Sequence, residues 1–419
     1  MKKIFVTNTG DKKHAEELIA RTDLEVTFII EKRFIDMYPT GTHLIIVDNL
    51  NDPSASTRSV LEQCDCNSYE AVIALSERAA PTAAYLRDYL GLEGPSFHTV
   101  MNCINKFTMK RKFRKQNIPT ANFYLASSIE EVYQAGNQIG YPIIVKPIIG
   151  AGADATKIFQ NPEELNTEEA NLFFERLSHP ITTSEKEFPV IVESFENVKI
   201  ELHCDGYVEN GNIKFVQVSQ YLKPIIQYSS GGVYGSFTLN HSDPLAEQVL
   251  NMHEEAVKAM EIVHGITHFE VFLTDKGLLA GEIACRPGGG GICRMLQIYR
   301  GFHTWDAHIK VFLGEPYSYS KNIESETNDQ ILELLLPTKR GHITSISNAK
   351  DFENLAGLIE ADMKVSIGDT VDGLLDSSAV SGILYIRIDE NNSVEKAIAA
   401  VENIFVIETK EESLTNINL

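Results

Sequence analysis

What this chain most lacks is basic charge: 37 lysines and arginines stand against 58 aspartates and glutamates, for a net charge of −21. A nucleic-acid binder needs a basic footprint to replace the counterions of a phosphate backbone, so that class is excluded. A few local lysines could still hold a small phosphorylated ligand. No apolar run is long enough to span a bilayer. The opening MKKIFVT has two lysines but a short apolar run, and reads as a first strand rather than a signal peptide. Cysteine is sparse and unpatterned. Cys64 and Cys66 are too close for a zinc site, and no histidine pair at ligand spacing accompanies the six thiols, which fits reduced cysteines in a cytoplasmic protein. After the first strand, Thr7-Asn8-Thr9-Gly10 offers one glycine where a dinucleotide fold needs GxGxxG, so nicotinamide cofactors are excluded there.

What remains is an ordinary globular composition, 43% hydrophobic and 23% charged over 419 residues, enough for several cores. Residues 1–100 alternate strand and helix, the pattern of a parallel α/β sheet. Glu77 follows the fourth strand, where open sheets place ligand contacts or where a solvated loop carboxylate would sit. A basic linker helix falls within 101–119. Lys110, Arg111 and Lys112 read as its solvated face, and Lys106 as a candidate for an anion. In 120–195, the Tyr141–Pro147 strand carries Lys146 among apolar residues, which requires an anionic partner. The small-residue loop Gly150–Thr156 follows, including Gly152 and Ala153, and can bring backbone N–H groups close to phosphates. A second apolar strand ends at Glu193-Ser194-Phe195. In 196–319, strands 198–205 and 212–220 are expected to pair across Gly206 and Gly211, with Glu201 on the first. Ser229–Gly232 reads as a loop. Residues 320–329 are a polar linker, and 320–419 a separate α+β unit without a catalytic constellation.

The most informative stretch is His268–Gly291, HFEVFLTDKGLLAGEIACRPGGGG. Two strands, joined by Asp275-Lys276-Gly277, each carry one carboxylate among apolar residues. Paired strands would set Glu270 and Glu282 together, a costly arrangement that a divalent cation offsets. Arg286 and a run of four glycines follow.

Lys106, then Lys146 with its loop, then Glu193, then Glu270, Glu282 and Arg286, in that order, resemble the ATP-grasp superfamily. Its members include biotin carboxylase, D-alanine–D-alanine ligase and the L-amino acid ligases that make dipeptides. The resemblance implies a fold of α/β and α+β parts: an N-terminal parallel α/β domain, a two-lobed ATP-grasp (small lobe 120–195, large lobe 196–319) and a C-terminal α+β unit like that of the L-amino acid ligases. It further implies ATP held by Lys106, Lys146, Gly152, Ala153 and Thr156, and adenine held by the hinge backbone at Ser194 and Phe195, with Glu193 or Glu201 on base or ribose. Glu270 and Glu282 become ligands of Mg²⁺, two ions in number, with Mn²⁺ as a substitute. Arg286, Gly289 and Gly290 would steady the reacting carboxylate. Many family members have an asparagine two residues after the second glutamate, as a further metal ligand; here that place is Ala284. The substrate residues are expected among Glu77, Gly231, Gly232 and Asp376.

The implied activity is an ADP-forming carboxylate–amine ligase that joins amino acids through an acyl phosphate. Its partners would be small amino acids and a second copy of the chain, with no nucleic acid and no membrane. Ligation to a carrier-bound or antibiotic-precursor amine stays open, as does a nucleotide-binding protein without chemistry. A biotin-dependent carboxylase is disfavoured: no biotin-attachment segment is present and the loop after Glu282 differs.

Overall fold

The computed structural model describes residues 1–150, 155–177, 189–230, 232–319, 329–371 and 379–410. Strands β1 (Lys2–Thr7), β2 (Leu24–Glu31), β3 (His43–Val47) and β4 (Tyr69–Ala74) form an all-parallel sheet in the order β3-β2-β1-β4. Their near-continuous apolar runs follow from burial on both faces. Ala15 and Leu18 cover one face with Ile309 and Phe312, while Val60, Ala83 and Leu86 cover the other. Helix Thr304–Phe312 thus ties the large lobe to this domain. The linker is two helices, Phe97–Ile104 and Lys106–Lys115. Asn105 ends the first and caps the second, its side chain accepting from the Thr108 N–H.

Strands β5 (Phe123–Ala126), β6 (Ile143–Pro147), β7 (Lys157–Phe159) and β8 (Val190–Ser194) make the small-lobe sheet, ordered β5-β8-β6-β7. Ser128 caps helix Ile129–Ile139, its side chain accepting from the Glu131 N–H, and Gly140 closes it.

The rest is dominated by one antiparallel sheet of eight strands. It comprises β9 (Val198–Glu209), β10 (Asn212–Tyr221), β11 (Tyr234–Thr238), β12 (Gly265–Thr274), β13 (Gly277–Ala284) and β14 (Gln330–Pro337). Beyond β15 (Gly341–Ile346) it takes in β16 (Leu358–Met363) and, past β17 (Thr370–Val371), β18 (Val380–Ile388). The order is β13-β12-β9-β10-β11-β14-β18-β16. The segment expected to be a separate C-terminal unit therefore adds strands to the large lobe's own sheet. A small sheet, β17-β15-β19 (β19, Ile407–Lys410), and helix Val394–Ile404 complete it.

One turn expectation fails. β9 runs through Gly206 to Glu209, and the hairpin turns at Asn210-Gly211. Position 206 is glycine because His253 and Thr267 press on the strand there: a Cβ would lie 2.7 Å from each.

Candidate active site

The hairpin β12–β13 carries a bulge at the carboxylates. Phe269 pairs with Ile283 and Val271 with Ala280, so Glu270 faces both Gly281 and Glu282. Strand alternation sends Phe269, Val271 and Ile283 into the large-lobe core and turns Glu270 and Glu282 together onto the opposite face. Gly281 permits this: a Cβ there would meet the Phe272 ring at 2.9 Å and the Glu270 carbonyl oxygen at 3.0 Å.

That face forms one wall of a cavity of about 400 Å³ between the lobes. Lys106, Lys146 and Thr156 line it from the small-lobe side, and Glu193, Ser194 and Phe195 from the hinge. Glu201, Glu270, Glu282, Arg286 and Glu77 complete the wall. Gly232, Gly289 and Gly290 are outside the lining. Gly152, Ala153, Gly231 and Asp376 lie outside the described residues.

Charged groups alternate through the cavity floor. Glu282 accepts from Lys106 at 2.8 Å and Lys146 at 2.9 Å. Lys146 also faces Glu193 at 3.3 Å, and Lys110 faces the other Glu193 oxygen at 3.4 Å. Lys106 additionally donates to the Gly150 carbonyl. Two expectations change here. Lys110 is not a solvated residue; it is 1% exposed and also donates to Thr120 Oγ1 at 2.9 Å. Glu193 turns both oxygens onto lysines rather than toward a base or ribose. Burial alone would raise the Glu282 pKa, but Lys106 and Lys146 outweigh it and hold the carboxyl well below the usual range. Burial would likewise lower Lys146, and Glu193 and Glu282 reverse it. For Lys110 burial wins, only partly opposed by Glu193, and its pKa falls. Glu201 is pushed up to about 8 by burial and by the charge of Glu270, against the Ile225 N–H that donates to it at 2.8 Å.

The pattern of the ATP-grasp domain matches residues 111–298. An L-arginine-specific L-amino acid ligase from Bacillus subtilis is 30% identical over 378 residues, which cover 89% of this chain and 88% of the relative. The chain is an ATP-grasp ligase. An L-amino acid ligase from Bacillus licheniformis superposes with a TM-score of 0.73 over 98% of this chain and 99% of that one, at 17% identity, a likeness of fold alone. A formate-dependent phosphoribosylglycinamide formyltransferase from Thermococcus kodakarensis is 26% identical over 209 residues, about half of each chain (48% of this one, 46% of that one). Enzymes of the ATP-grasp family use ATP with Mg²⁺ or Mn²⁺, and the donors of this ligase fit that demand. Two carboxylates share one face, and two lysines stand ready beside them.

In this ATP-grasp ligase Arg286 reaches the N-terminal domain, its Nε donating to Glu77 Oε2 at 2.6 Å and its Nη1 to the Pro287 carbonyl at 2.8 Å. The glycine run then lies flat on buried polar groups. A Cβ on Gly288 would sit 3.0 Å from Asp205 Oδ1 and His268 Nδ1, and one on Gly291 would sit 2.4 Å from Glu333 Oε2 and 2.6 Å from the Tyr385 hydroxyl. Gly291→Ala is therefore expected to lift the loop. Overpacking of this kind costs about 1–3 kcal/mol, seen as a lower denaturation midpoint, and turnover should fall with it. An alanine variant with wild-type midpoint and rate would refute the contact.

Glu196, Asn197 and His268 also line the cavity and were not singled out from sequence. The Ser194 N–H donates to the Asn122 carbonyl at 2.9 Å and the Phe195 N–H to the Pro142 carbonyl at 3.1 Å. The expected hinge donors are thus engaged within the small lobe, and the next residues, 196–198, form the adjoining cavity wall. His268 was recoverable: it stands two residues before Glu270, hence on the same strand face. Burial alone would depress its pKa, but Asp205 and Glu270 push the imidazole up to about 9. Among the described residues, no helix is long and apolar enough to cross a membrane.

Proposed function

We propose that the chain is a cytoplasmic, ADP-forming carboxylate–amine ligase that joins two amino acids through an acyl phosphate. The observation that carries this reading is the convergence of Lys106, Lys146, Glu270, Glu282 and Arg286 on one cavity. The reading is further supported by the L-arginine-specific amino acid ligase, similar over most of both chains. The free thiols among the described residues suit a reducing compartment.

The chemistry explains the residue types. A carboxylate resists attack by an amine because oxide would have to leave. Phosphorylation by ATP supplies a good leaving group but brings anions together. Lys106 and Lys146, held by Glu282 here, would turn to the phosphates and neutralise them. Mg²⁺ held by Glu270 and Glu282 would add Lewis-acid charge at the same point. The backbone of 196–198 would offer adenine its donor and acceptor, with Glu201 beside the ribose. Arg286, aimed by Glu77, would hold the reacting carboxylate. The same guanidinium would meet the oxyanion that forms when the amine attacks. The loop at 150–156 would exclude water from the acyl phosphate.

The deciding experiment is ADP release over all pairwise combinations of the standard amino acids, followed by mass spectrometry of the product. Arginine-containing pairs head the screen, because the amino acid ligase similar over most of both chains is arginine-specific. ADP with a dipeptide mass is the expected result. ADP formation only with other acids or with carrier-bound amines would overturn the amino-acid reading while leaving the ligase.

A further inference from the structure

The asparagine that ATP-grasp proteins commonly place after the second glutamate is Ala284 in this chain, which leaves the metal site one protein ligand short. The register of the hairpin shows what stands there instead. His268 on β12 pairs directly with Ala284 on β13, so its imidazole rises from the same face as Glu270 and Glu282, over the gap left by the small side chain.

The ring is held in one orientation. Its Nδ1 is 2.8 Å from Asp205 Oδ1, and the other Asp205 oxygen is 2.6 Å from His203 Nδ1. Asp205 is 2% exposed and accepts from both rings. With Nδ1 donating to Asp205, Nε2 of His268 is the nitrogen at which a cation would take the place of a proton. His203 Nε2 is engaged with Ser236 Oγ at 2.9 Å. His203, Asp205 and His268 cluster tightly enough to suggest a metal among themselves, yet they engage one another, and the atom left to ligate is His268 Nε2. It points to the cavity wall, 3.8 Å from Glu270 Oε1, beyond hydrogen-bond length, on a residue only 7% exposed. A carboxylate on the far nitrogen of an imidazole is the usual outer support of a metal-bound histidine.

We infer that His268 Nε2 is a third protein ligand of the cation held by Glu270 and Glu282, in the place left open by Ala284, with Asp205 as its positioning residue. The inference rests on the reading of the two glutamates as metal ligands. Imidazole nitrogen suits transition metals better than Mg²⁺, so the site should favour Mn²⁺ over Mg²⁺ more strongly than a site with an amide oxygen there.

The test uses the full chain labelled with [¹⁵N]histidine, loaded with Mn²⁺ and ADP, and observed by pulsed electron paramagnetic resonance. A directly coordinated ¹⁵N coupling is expected in the wild type. It should vanish in His268→Asn, whose amide oxygen can still ligate, while Mn²⁺ stays bound. Asp205→Asn should weaken Mn²⁺ binding by about 10- to 100-fold, as loss of an outer-sphere partner does. Bound Mn²⁺ without ¹⁵N coupling in the wild type would overturn the assignment and leave the glutamate ligands standing. A coupling that survives in His268→Asn would overturn it too. Failure of the wild type to bind Mn²⁺ with ADP would remove the glutamate reading and this one together.

Discussion

Glu282→Ala is expected to lower ADP formation by at least a hundred- to a thousand-fold, on the order of what loss of one preorganised electrostatic group costs in other sites, in a protein that still folds. The reason lies in the double engagement of this carboxylate. It shares the bulged face with Glu270, where a cation belongs, and it holds Lys106 at 2.8 Å and Lys146 at 2.9 Å. Its loss removes a metal donor and the anchor of both phosphate lysines. The fold should survive because each lysine keeps an acceptor, Lys106 the Gly150 carbonyl and Lys146 the Glu193 carboxylate at 3.3 Å. The Glu282 side chain, 26% exposed, also has water within reach. The check is ADP release at saturating substrate alongside circular dichroism. Full turnover in a folded variant would sink the ligase assignment.

The parts of this molecule that could be read in advance are those where a charge sits in an apolar strand. Glu270, Glu282 and Lys146 announced themselves because burial of an unpaired charge is costly, and the structure brings them to one another. The same signal went unused at Glu333, in QILELLLP. That carboxylate is 1% exposed, 3.1 Å from Ser236 Oγ, and pushed up to about 8 by burial. It lies beneath Gly291, so the segment expected to lack site residues supports the glycine loop. Other features were not legible, because they depend on partners far along the chain. Nothing local says that β14 pairs with β11, and that pairing merges the C-terminal strands into the large lobe. Lys110 is the sharpest case. A run of basic residues on a helix is normally solvated, and only the arrival of Glu193 makes this one internal. One clue was present: Lys110 is one helical turn from Lys106 and shares its face.

Lys110→Ala is expected to destabilise the protein by about 3 kcal/mol, the lower end of what breaking a buried ion pair costs. Glu193 is 4% exposed and would lose one of its two cations. The lower end applies because Lys146 still faces it. The same change would empty the contacts of Lys110 with Thr120 Oγ1 at 2.9 Å and the Gly281 carbonyl at 3.3 Å, next to the bulge that aims Glu282. Activity should therefore fall beyond the loss of stability. The discriminating partner is the double variant Lys110→Met with Glu193→Leu, which removes both charges. Replacing a buried pair with apolar groups is often neutral or better, so its denaturation midpoint should return toward the wild type. Nucleotide affinity should not return with it: Lys146, without Glu193, is left to Glu282 alone and is less free to turn to a phosphate. Equal midpoints for the wild type and Lys110→Ala would show that the pair contributes nothing to folding. Recovery of nucleotide affinity together with the midpoint in the double variant would show that Glu193 does not position Lys146.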